Sequence, residues 1–239
     1  SQLVTEQGPA YNINIRVFNE IQHTITGWPG GKPGVDDTQR PERALPAQKR
    51  CVIFSPHPDD DVISMGGTFI RLIDQQHEVH VAYQVSGHHA VWDHDVLRYL
   101  EFTMDFLKNL GQDVSELEER YKKVTAFFSK KQPRQEDLKE VKAAKALIRK
   151  GEAIAASRFC GLSDKRMHFQ NLPFYDRKKI GRFPDIKEDI EITKTLLQKI
   201  KPHQIFAAGD FADPNGTHII CFEVIRRAMV ELKKTEKWT

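Results

Sequence analysis

The sequence predicts an α/β fold, a mostly parallel sheet with helices on both faces and a helical insertion. Three observations predict it. The apolar run Cys51–Ser55 halts at a polar loop, Pro56–Asp61. A second run, Val79–Val85, follows one helix-sized stretch later, so strand, helix and strand fall within about 35 residues, the length of a βαβ unit with a right-handed crossover. A third run, Gln204–Ala208, lies between two segments with helical apolar spacing.

The elements follow in chain order. Ile13, Val17, Phe18, Ile21 and Ile25 give residues 11–26 one apolar helical face. Trp28-Pro-Gly-Gly-Lys-Pro-Gly34 and Arg40-Pro-Glu-Arg43 cannot continue a helix or strand, so 27–48 reads as a linker. The chain opens on Ser1, and residues 1–48 are expected to be the tail of a preceding domain. The domain proper is expected over 49–239. Cys51–Ser55 is a buried strand. Met65, Phe69, Leu72 and Ile73 place a helix over 65–74. Residues 92–160 read as mostly helical, with Leu138, Val141, Ala144, Ile148 and Ala155 on one face and a break at Gln132-Pro133. The part at about 92–146 is the insertion. Met167–Phe169 is a short strand. Helices are expected over 186–200 and about 219–234.

Composition sets the outer limits. The 239 residues are 39% hydrophobic and 29% charged, enough for one packed domain and too apolar for a disordered chain. With Lys plus Arg at 36 and Asp plus Glu at 33, the net charge of +3 does not mark a nucleic-acid binder. No apolar run reaches the ~18 residues of a membrane span. Cys51, Cys160 and Cys221 are dispersed and odd in number, which fits small residues in a reducing cytoplasm better than a disulfide framework.

The chemistry concentrates in Pro56-His-Pro-Asp-Asp-Asp61. It follows a strand, and sites in open α/β sheets form at strand carboxyl ends. Three adjacent carboxylates repel, and a cation offsets that repulsion. If the loop coils as a helical turn, His57 and Asp60 face one side while Asp59 stays free. His218, at the end of the loop after the 204–208 strand, completes a two-His, one-carboxylate set with open positions, as in hydrolytic zinc sites. Asp59 is then placed as general base. Taken alone, His-Pro-Asp-Asp reads equally as a turn whose Asp caps the next helix.

His57-Pro-Asp-Asp-Asp61, Gly66-Gly-Thr68, His77-Glu-Val79 and Ser86-Gly87 resemble the LmbE/PIG-L family of zinc-dependent N-deacetylases. So do Arg149–Glu152, Cys160-Gly-Leu162, Leu172–Asp176, Lys201-Pro202 and Asp213–His218. The resemblance covers about 49–91 and 147–232. It implies a Rossmann-like fold, one Zn²⁺ on His57, Asp60 and His218, Asp59 as base, and removal of acetyl from an N-acetylglucosamine-type amide. Two positions depart from the family pattern: the acid after the ligands is Asp61 rather than Glu, and the residue three before the last ligand, often His, is Asn215. Asp213 and Asn215 are the candidate substrate contacts. A subgroup in which this domain follows a glucosamine-6-phosphate deaminase-like domain resembles the chain more closely, through Trp28–Pro33 and Arg40–Arg43. A covalently fused deaminase-like partner is thus expected, and a homo-oligomer is compatible with it. The rival readings are a non-catalytic amino-sugar-binding domain of such a fusion and a two-metal phosphoesterase.

Overall fold

The computed structural model describes residues 2–14, 48–133, 135–177, 184–210, 212–213 and 216–237. Residues 15–47, which hold most of the expected first helix and the linker, lie outside the described residues, as does Asn215. The elements run α1 (Gln2–Gln7), β1 (Arg50–Ser55), α2 (Asp60–Asp74), β2 (Glu78–Tyr83), α3 (Asp93–Asn109), α4 (Ser115–Phe128), α5 (Lys139–Phe159), β3 (Met167–Phe169), α6 (Phe174–Arg177), α7 (Lys187–Ile200), β4 (Gln204–Ala207) and α8 (Thr217–Thr235).

The four strands form one sheet in the order β3-β2-β1-β4, and every neighbouring pair is parallel. β1 is interior, and five of its six residues are buried. The alternation of side chains along it shows why helices lie on both faces. Val52 and Phe54 join a core with Leu197, Cys221 and Val224 of α7 and α8. Cys51 and Ile53 join a second core with Phe69 and Leu72 of α2 and Ala153 of α5. Parallel strands covered on both sides read as unbroken apolar runs, which is the pattern of 51–54.

Residues 92–160 resolve into three helices with a core of their own, Val91, Val96, Val124, Val141 and Ile148. Gly111, at φ +72°, ends the turn after α3, a conformation that costs a glycine little. Ala155 corrects the expected face of α5: it is exposed, whereas Ala153 and Ser157 are buried. The buried stripe of α5 serves two cores in succession. Val141 and Ile148 face the insertion, and the stripe then shifts to meet the sheet core.

α2 also begins earlier than its apolar spacing implies. Its first turn starts at Asp60, and Met65 breaks the helical geometry at φ −145°, ψ 25°. The apolar periodicity sees only the segment after this break. No described helix is long and apolar enough to cross a membrane.

Candidate metal centre

Parallel pairing of β1 with β4 sets two carboxyl-end loops side by side. One carries His57 and Asp60, the other leads to His218, 161 residues further along the chain. His218 is the second residue of α8, whose start is turned in by Gly216 at φ +66°. The Asp213 carboxylate accepts the His218 backbone N–H at 3.0 Å, which fixes where that helix begins.

Three donor atoms meet there. His57 Nδ1 lies 3.1 Å from His218 Nε2 and 3.3 Å from Asp60 Oδ2, and His218 Nε2 lies 3.3 Å from Asp60 Oδ2. Two imidazoles and a carboxylate form a set that can hold a metal ion. Bond lengths of ~2.0–2.2 Å around a tetrahedral ion put donor atoms roughly 3.3–3.5 Å apart, close to the observed triangle. Direct hydrogen bonds fit the set less well. The two ring nitrogens carry at most one proton each, too few for three contacts, and His218 Nδ1, on the far side of its ring, is buried with no hydrogen-bond partner among the described residues. The residues therefore fit a zinc-type ion.

The local fold explains the aim of these groups. Asp60 Oδ2 accepts the His57 backbone N–H at 2.8 Å, closing a tight turn over 57–60. Asp60 and Asp61 occupy the first turn of α2, where the positive end of the helix favours carboxylates. Burial pushes the Asp60 carboxyl up, but hydrogen bonds from His57 and the two imidazoles outweigh it and hold the group below its ordinary value. Asp61 behaves differently. It is 2% exposed, accepts from Tyr83 Oη at 2.9 Å and from Ser55 Oγ at 3.2 Å, and burial raises its carboxyl above the ordinary value. Tyr83 also meets Ser157 Oγ of α5 at 2.7 Å. This buried network fastens the loop from beneath.

Asp59 occupies the capping position of α2 yet makes no side-chain capping bond. Its carboxylate instead meets the Arg149 guanidinium of α5 at 2.9 Å. The simple capping role is therefore not the one the geometry gives it. The structure brings His57, Asp60 and His218 together, leaves Asp59 beside them on Arg149, and gives Asp213 to the α8 backbone. A cavity of ≈ 770 Å³ opens at Asp60, His218 and the end of β4.

Motif reasoning missed three contributors: Arg149, Tyr175, and the Asp61–Tyr83–Ser157 network. Tyr175 stands edge-on to His57 with ring centres 6.2 Å apart, and burial pushes its phenol up to about 12. Arg149 and Tyr175 lie within the segments Arg149–Glu152 and Leu172–Asp176 that carried the family resemblance, which was the available signal.

Fold and site together define an α/β domain with a candidate metal centre at the carboxyl ends of its strands. Residues 52–229 match the family described as PIG-L, GlcNAc-PI de-N-acetylase, and the chain belongs to that family. Over 242 residues, with 100% of this chain covered, it is also 51% identical to a Bacteroides thetaiotaomicron protein described as glucosamine-6-phosphate deaminase-like. The chain spans 36% of that relative's length. The relative's length and description agree with the fusion that the resemblance implied.

Proposed function

We propose that this domain is a zinc-dependent hydrolase that removes the N-acetyl group from an N-acetylglucosamine-type amino sugar. The observation that carries the reading is the triangle of His57, Asp60 and His218 at the ends of β1 and β4. These three residues would hold one ion, which when bound lowers the pKa of water and polarises a carbonyl oxygen.

The chain's own residues supply the rest. Asp59 takes a proton as water oxygen adds to the acetyl carbon, and returns it to nitrogen as the C–N bond breaks. The products are acetate and the free amine. Arg149 holds the Asp59 carboxylate in one orientation through their ion pair. Asp61, Tyr83 and Ser55 keep the loop from shifting, and such misplacement is costly in catalysis. Asp213 and Asn215 are the proposed substrate contacts, and Asp213 also sets the start of α8. The domain works in the cytoplasm as part of a longer chain with a deaminase-like partner.

Asp59→Asn is the direct test. It is expected to keep about one metal ion per chain and to lose ~10²–10⁴-fold in amine release from N-acetylglucosamine, its 6-phosphate or chitobiose. Wild-type turnover in that variant rejects Asp59 as the base. The departure at Asn215 favours a second reading, a non-catalytic amino-sugar-binding domain. Sugar binding with no acetate release from any of the three would establish it.

A further inference from the structure

The insertion carries an apolar face that its own core does not use. α3 turns Val96, Leu97 and Leu100 towards that core. A second stripe points elsewhere. Trp92, just before α3, and Tyr99, Phe102, Phe106 and Leu110 are all exposed, Phe102 by 66% and Phe106 by 52%. The Phe102 and Phe106 rings stack with centres 6.1 Å apart. Single exposed apolar residues are ordinary, but a row of large ones on one helix face marks a contact site.

The spacing says what kind of contact. Trp92, Tyr99 and Phe106 recur every seven residues, Phe102 follows Tyr99 by three, and Leu110 follows Phe106 by four. That is the seam of a helix that pairs with another helix. Arg98 and Asp105 are also seven apart, and each precedes a seam residue, so both lie on one flank of the stripe. In an antiparallel pair of identical helices that flank meets itself, reversed. A two-fold axis between Phe102 and Thr103 sets Tyr99 against Phe106 of the second copy and brings Arg98 to Asp105 of the second copy, twice. A parallel pair would set the same flank against Thr103 and Leu110 and leave both charges unmatched. Arg98 holds Asp95 of its own helix at 3.0 Å from a largely exposed position, so turning to a second acid costs little.

The area is also sufficient. At ~200 Å² for each large side chain, the exposed parts of these five residues supply roughly 1,000 Å² over two copies. That is at the low end of specific interfaces and fits a dimer in the micromolar range.

We infer that α3 is a self-association face: two copies of this chain pair antiparallel through Tyr99, Phe102, Phe106 and Leu110, with Arg98 and Asp105 exchanged across the two-fold axis. This pairing is independent of the chemistry at the metal centre.

The test is sedimentation velocity of the 239-residue chain across the micromolar range. A reversible monomer–dimer equilibrium is expected. Phe102→Glu should weaken it ~100-fold or more, since a charge at the centre of the seam is buried twice. Arg98→Asp and Asp105→Arg should each weaken it ~10-fold by setting like charges together, and the double variant Arg98→Asp/Asp105→Arg should return to within ~3-fold of wild type. Should Phe102→Glu fail to fold, the three charge variants decide alone. A chain that stays monomeric throughout the range overturns the inference. So does a dimer indifferent to Phe102→Glu, which would use another face. A double variant as weak as the single ones rejects the antiparallel pairing of two copies. A monomer whose melting temperature falls in Phe102→Glu would show the stripe covered from within the chain, and that too overturns it.

Discussion

Two clusters of charged and titratable side chains are built on opposite plans. In the insertion, Lys145 is 4% exposed and meets Asp93 at 2.6 Å and Asp137 at 2.8 Å. Lys131 meets the same two carboxylates at 2.8 and 2.7 Å. Two cations and two anions close on each other, and the Lys contacts outweigh burial to hold both carboxyls below their ordinary values. At the ends of β1 and β4, by contrast, two imidazoles and a carboxylate converge with no Lys or Arg in the triangle. A closed cluster ties helices together. An open one is receptive to a cation from outside.

The largest expected effect sharpens that contrast. His218→Ala should lower zinc affinity by more than the ~10–100-fold typical of losing an outer partner. Equilibrium dialysis against a competing chelator measures it, and helix content by circular dichroism should not change. Lys145→Met belongs to the other plan. Removing Lys145 leaves the half-buried Asp93 and Asp137 to Lys131 alone, at a cost of ~1–3 kcal/mol in chemical denaturation, while metal affinity holds. Metal loss in Lys145→Met comparable to that in His218→Ala would break the comparison.

Gly87→Ala probes the seam between the two regions. Gly87 has φ +67°, and an added Cβ would lie 2.8 Å from Pro58 Cδ and 3.2 Å from Arg149 Nε. The strain should cost about 1–3 kcal/mol in unfolding and shift Arg149, lowering turnover with metal content retained. An unchanged melting curve and turnover would mean that Pro58 and Arg149 yield freely.

The smallest effect concerns Asp189. It is fully buried and accepts the Phe174 N–H at 3.0 Å. Burial, only partly offset by that bond, raises its carboxyl above the ordinary value. The ionised form is therefore disfavoured in the folded state. Its penalty is present above the raised value and fades as pH falls through it towards 3.8. Asp189→Asn should match or exceed wild-type stability by up to ~1 kcal/mol at neutral pH, with the difference vanishing on acidification. A difference that grows in acid has the wrong sign.

The legible part of this molecule is the part written locally. The unbroken apolar run at 51–54 gave an interior parallel strand, and His57 with Asp60 gave two corners of the triangle because three residues is nearly one helical turn. His218 was found because it follows another strand end. Partnerships across long sequence distances were not legible. Asp59 and Arg149, or Asp61, Tyr83 and Ser157, are common residue types whose meaning comes from β2 and α5 meeting the loop in space. Ala155 was misplaced because a single helical period cannot show one helix serving two cores.

The separation of 161 positions between His57 and His218 has a thermodynamic consequence. An ion shared by both ends acts as a clasp on nearly the whole domain, and its affinity adds to the stability of every element enclosed. At a free concentration a hundredfold above its dissociation constant, that linkage is worth about 2.7 kcal/mol. Chelation should therefore lower the melting temperature of distant helices as well as empty the site.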